Sequence, residues 1–350
     1  MMKRTCTIMV GVLLFGIGTT AYAQEFKPEY IRSNAIFQVE TRVDALTQFD
    51  DGYFDTHGIC KNFNLVLKGK LSNRISYKFR HRLNRAAQGD DKFLNATDAA
   101  WIAFNATDKF IITAGKQTVA LGGFEYDYAP IDMYIPSVLY DNIPGYKVGV
   151  DLGFIIGKND WHFQVTNGGL GYYVDGNGNI IHTERVGDHT FLTYTFALNG
   201  QYVDGINYRH SVNFYEYEKG RFINLIALGH QFNIGKFCLE ADLTNRAYTD
   251  DMQLFKDYTL TGNFKYDFGK VTGFFKLGYD KNENYIPTPN VIDARVEQLV
   301  YGIGIEYFPF ETKDVRFHAF YANGRYDMMN NAKTGTNLIN FGVRWNLRLL

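Results

Sequence analysis

From residue 35 onward the chain alternates apolar and polar positions, with few breaks. In "RISYKFRHR" (Arg74 to Arg82), Arg74, Lys78, Arg80 and Arg82 fall on one parity, and Ile75, Tyr77, Phe79 and His81 on the other. A period of two is a β-strand, with one parity per face. The same signature recurs sixteen times before the end of the chain. The clearest later examples are Tyr146, Val148, Val150, Leu152 and Phe154, then Leu299, Tyr301, Ile303, Ile305 and Tyr307, and finally Ile339, Phe341, Val343, Trp345 and Leu347. Each apolar row alternates with polar or glycine positions. No buried helix or doubly apolar strand is needed to explain the pattern.

The connections sort by end. Those after the second, fourth, sixth, tenth and twelfth strands are tight: Ser72-Asn73, "NATDK", "GKND", "NIGK" and "FGK". Those at the other end are predicted to be long, covering 49–58, 86–97, 118–145, 168–189, 247–256, 281–295 and 324–335. "YEKGR" is the one short exception. Short turns at one end and long loops at the other fit an all-β transmembrane antiparallel β-barrel, whose polar face lines a lumen. Closure of the sheet satisfies every backbone group in hydrocarbon. About sixteen strands is enough for an aqueous channel. A secreted soluble β protein would need a second partner for every apolar stripe.

Composition adds to this picture. There are 25 Tyr, 29 Phe and 34 Gly but only 7 Pro. Aromatics near strand ends, such as Tyr307, Phe308 and Trp345, suit interfacial girdles. Residues 1–23 read as a secretory signal peptide: Lys3 and Arg4, a short apolar core, then Ala21-Tyr22-Ala23. Residues 24–350 are then one outer-membrane barrel domain, localised to the outer membrane of a Gram-negative bacterium. Without Lys3 and Arg4 the 36 basic residues fall to 34, against 37 acidic. Bulk charge thus gives no reason for a nucleic-acid partner. Cys60 and Cys238 fit no metal spacing, and no cofactor is implied. No nucleophile motif occurs, so an enzyme is not expected.

Two constellations carry the functional reading. Arg74, Lys78, Arg80 and Arg82 on the third strand lie beside Lys68 and Lys70 on its hairpin partner. Closure of the barrel brings Arg344 and Arg348 beside Arg42. Together they form a cationic arc on the lumen wall, which attracts anions and repels cations. The second constellation is the 118–146 segment, too apolar for an exterior loop. Folded inward, it narrows the lumen. Glu125, Tyr126, Asp127, Asp132 and Tyr134 are its candidate constriction residues, with the acids facing the basic arc. The function expected is passive diffusion of small hydrophilic solutes with a mild preference for anions. The alternative is a plugged barrel used for surface binding or adhesion, with "NGGLGYYVDGNGN" as a glycan-binding loop.

Three stretches, "YKFRHRLN", "AWIAFNATDKFIITAGKQ" and "GGFEYDYAPIDMY", resemble Bacteroidetes members of the phosphate-selective porin O and P family. The resemblance runs along all sixteen strands and is most specific from Trp101 to Tyr134. It implies an outer-membrane porin, a homotrimer in lipid, with an inward third loop and an anion pathway, phosphate included. By the same matching, Arg80, Arg82 and Lys116 are implied as lumen residues. Ala100 and Ala103 on the fourth strand are small residues that suit contact with a neighbouring subunit.

Overall fold

The computed structural model describes residues 35–50, 52–85, 95–143, 145–168, 172–174, 180–182, 185–248, 254–282, 296–328 and 333–349. The signal-peptide reading and most of "NGGLGYYVDGNGN" lie outside them. Sixteen strands form one closed antiparallel barrel in chain order. They are β1 (Ile36–Asp50), β2 (Tyr53–Lys70), β3 (Ile75–Arg82), β4 (Thr97–Thr107), β5 (Phe110–Thr118), β6 (Tyr146–Ile156), β7 (Asn159–Asn167) and β8 (Leu192–Val203). The second half comprises β9 (Ile206–Glu218), β10 (Arg221–Ile234), β11 (Phe237–Tyr248), β12 (Asp257–Asp267), β13 (Val271–Asn282), β14 (Val296–Tyr307), β15 (Val315–Met328) and β16 (Lys333–Arg348). Two small two-stranded hairpins between β7 and β8 stand outside the barrel sheet.

The barrel closes where β16 pairs with β1, with Arg42 opposite Arg344 and Val43 opposite Val343. Alternation then sets two surfaces. Ile303 and Phe341 on the outer face are 60% and 61% exposed. Phe163, Phe196, Phe275 and Phe317 share that face and are also exposed, between 43% and 49%. A continuous exposed apolar belt of this kind has lipid as its natural partner. The inner face instead holds buried polar residues such as Asn64, Gln164, Asn213 and Asn340. No described helix is long and apolar enough to cross a membrane. The strands do that work.

Two connections are shorter than expected. β1 runs to Asp50 and β2 starts at Tyr53, so 49–50 and 53–58 are strand rather than loop. Gly52 has φ 93, and the strands pair through Thr47↔Thr56 and Phe49↔Phe54. Likewise β15 extends to Met328 and β16 starts at Lys333, both inside the stretch 324–335 expected as loop. A cluster of turn residues marks the turn but not how far the pairing runs up to it.

The segment between β5 and β6 crosses the barrel interior. It contains a 3-10 turn (Glu125–Asp127) and α1 (Val138–Asn142), whose N-cap Ser137 accepts from Tyr140 N. One end packs Val119, Leu121, Leu139 and Ile143 against Tyr215, Ile223 and Leu225 of β9 and β10. The other packs Ile135 against Phe274, Val300, Phe320 and Ala322 of β13 to β15. Two apolar clusters, one on β9 and β10 and one four strands further round on β13 to β15, thus anchor one strap.

Candidate functional site: the lumen and its strap

Glycines let the strap lie against the wall. A Cβ on Gly229 would sit 2.6 Å from the Cα of Gly123. Gly123 also has φ +93, a backbone that side chains rarely adopt. Four strands further round, on β14, a Cβ on Gly302 would come within 2.2 Å of the Ile135 Cδ1. Each wall is thinned where the strap touches it.

Polar anchors complete the attachment. Asp242 accepts from Phe124 N at 2.9 Å and from Glu125 N at 2.7 Å. Ser211 Oγ accepts from Gly122 N at 2.7 Å. Tyr128 donates to Glu240 at 2.6 Å, and Tyr134 to Glu306 at 2.7 Å. Asp280 accepts from Val138 N at 3.2 Å. These wall residues all carry lumen parity. Alternation shows that parity, but not which of them meet the strap.

The expected basic residues divide into four groups. Arg42 is only 2% exposed. It donates to both oxygens of Asp44, at 3.0 and 2.7 Å, and to the Met133 carbonyl at 2.8 Å. It holds the strap rather than offering a free charge to solute. This corrects its reading as pore lining, because the strap covers its guanidinium. Arg80 lies 3.4 Å from Glu40 and 3.7 Å from Asp98, and Arg82 donates to Asp98 at 2.7 Å. Arg344 faces Asp132 of the strap at 3.6 Å.

Lys68 and Lys78 form the second group. They are direct cross-strand partners on the lumen face. No ion pair joins either to an acid among the described residues. Lys70 is an exposed neighbour at the end of β2, and Arg348 lies at the corresponding end of β16.

Arg74 and Lys116 depart from expectation. Arg74 precedes β3 and lies exposed in the turn, where its N–H donates to Ser72 Oγ. The Ser72 hydroxyl caps the tight turn and ends the pairing there. Lys116 pairs with Ala100 and Val148, on the outer face, whereas Trp101, Gly115 and Gly149 carry the lumen side. Its lumen assignment is corrected by this register. The register also separates Ala100 from Ala103: Ala103 pairs with Ser76 and Thr113 on the lumen side and is buried.

The strap acids do not share one partner. Glu125 pairs with Lys276 and accepts from Ser137 Oγ at 2.5 Å. Asp127 meets Arg209 at 3.2 Å, across the lumen from the arc. Asp132 meets Arg316 at 3.0 Å as well as Arg344. Only Asp132 therefore touches the arc. Tyr126 donates to the Ile143 carbonyl and packs within the strap. Tyr134 lies between two cations, 4.7 Å from Arg42 and 5.3 Å from Arg316. Arg209, Arg316, Lys265 and Lys276 are further lumen-face cations, each of which meets a residue of the strap. Their parity was visible, but their partners come from a loop far away in sequence.

Beside the strap lies an open region of about 430 Å³. Lys78, Arg80 and Arg209 border it from the wall, and Tyr126, Asp127 and Tyr128 from the strap. A closed sixteen-strand barrel with a lipid belt and a polar, strap-narrowed lumen defines an outer-membrane channel for small solutes.

The family comparison agrees. Residues 42–255, more than half of the chain, match the family "Phosphate-selective porin O and P", and the chain belongs to that family. It is an outer-membrane protein of a Gram-negative bacterium. Among solved structures, it is similar to the outer membrane channel DcaP of Acinetobacter baumannii, at 11% identity and TM-score 0.60, covering 90% of this chain and 96% of that one. It is also similar to an anion-selective porin from Comamonas acidovorans, at 12% identity and TM-score 0.58, covering 89% and 99%. A third is Salmonella typhi OmpF in complex with daunomycin, at 11% identity and TM-score 0.58, covering 91% and 99%. At these identities the likeness is one of fold. No curated protein matches in sequence.

Proposed function

We propose that the mature chain, cleaved after Ala23, is one barrel domain working as a passive pore for small hydrophilic solutes, with a mild preference for anions, phosphate among them. The strap sets the size limit. The observation that carries the anion preference is the Lys68–Lys78 pair. Like charges directly opposite on a sheet are destabilising. Here they face the lumen with no acid bound to either among the described residues, below the open region. A passing anion relieves that repulsion, whereas a cation adds to it. The strap's own acids are occupied by Lys276, Arg209 and Arg316, which limits their pull on cations. A homotrimer in the outer membrane is part of this reading and is checked by the mass of the detergent-solubilised protein.

The plugged-barrel alternative requires the lumen to be sealed throughout. The region beside Arg80 and Arg209 argues against that. The test is single-channel recording in a planar bilayer under a salt gradient. Stepwise channels with an anion-directed reversal potential are expected. Lys68→Glu with Lys78→Glu should move that potential toward cations. A folded, inserted protein with no conductance overturns the pore. An unchanged reversal potential in the double variant overturns the role of the lysine pair.

A further inference from the structure

The other side of the strap is built differently. There Ile135 packs into Phe274, Val300, Phe320 and Ala322, with Tyr134 and Leu338 at the margin. Tyr134 and Ile135 line two cavities at once. The upper one, about 340 Å³, is bordered by Gln48, Gln298 and Thr336, near the long-loop ends of their strands. The lower one, about 320 Å³, is bordered by Lys265, Arg316 and Arg344, near the short-turn ends. Phe308 and Lys313, in the short β14–β15 connection, stand at its mouth. The apolar cluster separates the two. In the porin reading short turns face the periplasm, so the lower cavity is a pocket opened from that side and roofed by the strap.

Its chemistry is specific. Five cations line it, Lys265, Lys276, Lys313, Arg316 and Arg344, against two acids, Asp132 and Glu306. Glu240 and Glu125, just outside the lining, offset Lys265 and Lys276. One positive charge remains over. Arg316 is 7% exposed; its Nη2 meets Asp132 at 3.0 Å and its Nη1 meets Glu306 at 3.2 Å, while its Nε is buried without a hydrogen-bond acceptor and Arg344 Nε has only a 3.6 Å approach to Asp132. Buried donors left unmet are costly, and an acid head with two oxygens can accept from the Nε groups of this cross-strand arginine pair. Around these donors stand the rings of Tyr134, Phe274 and Phe308. The volume is roughly twice that of the cavity known to take one benzene.

We propose that this pocket, under the strap on the short-turn side, is a binding site for an organic monoanion made of an aromatic body and a carboxylate. The carboxylate meets Arg316 and Arg344, and the ring lies among the three aromatics.

The test is calorimetric titration of the full mature protein in detergent with 2-naphthoate. 2-Naphthalenemethanol serves as the uncharged analogue and inorganic phosphate as the anion without a ring. One saturable site per barrel is expected, with the alcohol and phosphate each roughly tenfold weaker or more. Arg316→Gln should weaken naphthoate by roughly tenfold as well. Because Arg316 also touches the strap, Lys313→Gln is the second variant. It lies in an exposed turn and should weaken naphthoate several-fold while leaving conductance unchanged. Absence of saturable binding, equal affinity for the alcohol, equal affinity for phosphate, or indifference to both variants overturns the proposal. Single-channel recording on the same preparation judges the pore separately. A conducting protein that fails to bind naphthoate leaves the porin reading intact and removes the pocket.

Discussion

Asp242 is the most concentrated anchor of the strap, and Asp242→Ala is the sharpest perturbation of it. Its carboxylate, buried on β11, accepts from two consecutive backbone N–H groups, those of Phe124 and Glu125. Hydrogen bonds to a charged group contribute about 1.5–3 kcal/mol each, so removing both acceptors costs about 3–6 kcal/mol locally. About 1.4 kcal/mol is a tenfold change in population, so the attached state loses roughly a hundredfold or more of its advantage. The Gly122–Ser211 hydrogen bond and the apolar packing of Val119 and Leu121 remain at that end. The strap should therefore fluctuate rather than leave the lumen. The barrel itself should stay folded, since its ladder does not include the carboxylate. The readout is single-channel recording: a noisier open state with a larger mean conductance. Asp242→Asn keeps one acceptor and lowers the crowding of negative charge with Glu125 and Glu240, so its effect should be smaller. An Asp242→Ala channel with wild-type conductance and wild-type noise would refute the idea that this carboxylate positions the strap.

Other expectations follow from the same geometry. Arg42→Ala leaves Asp44 buried with only His318 beside it and strands the Met133 carbonyl, at a cost of about 3–5 kcal/mol. It should lower the temperature at which the folded band converts to the unfolded one on a denaturing gel, and no shift would contradict it. Gly302→Val puts a side chain where Ile135 sits, with the Tyr321 carbonyl 2.8 Å from the new Cβ. It should displace Ile135 and raise conductance by opening the sealed side, whereas unchanged conductance in a folded barrel would count against the seal. Arg209→Glu sets like charge against Asp127 across 3.2 Å and should reduce anion preference in the reversal potential. Exchanging the pair, with Asp127→Arg added, should restore part of it.

The strands were legible because lipid enforces alternation more strictly than a protein core does. Most rows have their apolar parity outside, β10 with Ile223 and Leu225 turned inward under the strap being an exception, and a one-residue slip would put charge into hydrocarbon. Lys116 escaped that logic because it was placed by family resemblance instead of by counting from Val148 and Val150. The strap was visible as a loop too apolar for water, but its contacts were not. Asp242, Glu306 and Lys276 have the same lumen parity as dozens of ordinary wall residues. Only the path of 119–145 through three dimensions selects them. Arg42 shows the reverse case: correct parity, but covered by the strap and so withdrawn from the lumen.

Charge parity alone therefore overstates how much of a barrel wall a solute meets. What decides it is where the wall lets the strap approach. On one side Gly122, Gly123 and Gly229 let the strap lie flat against β9 to β11, and the packing there is covered by Tyr215 and Leu225. On the other, Gly302 admits Ile135, and the cluster around it closes that sector. Between these two contacts the strap turns Asp127 and Tyr128 toward Arg209 and the lysine side of the wall. The inward glycines look like gaps in the alternating pattern, yet they fix which cations solutes encounter. Filling one of these gaps should change permeation more than removing one exposed lysine of the arc, because it moves the strap and with it every charge the strap covers or uncovers.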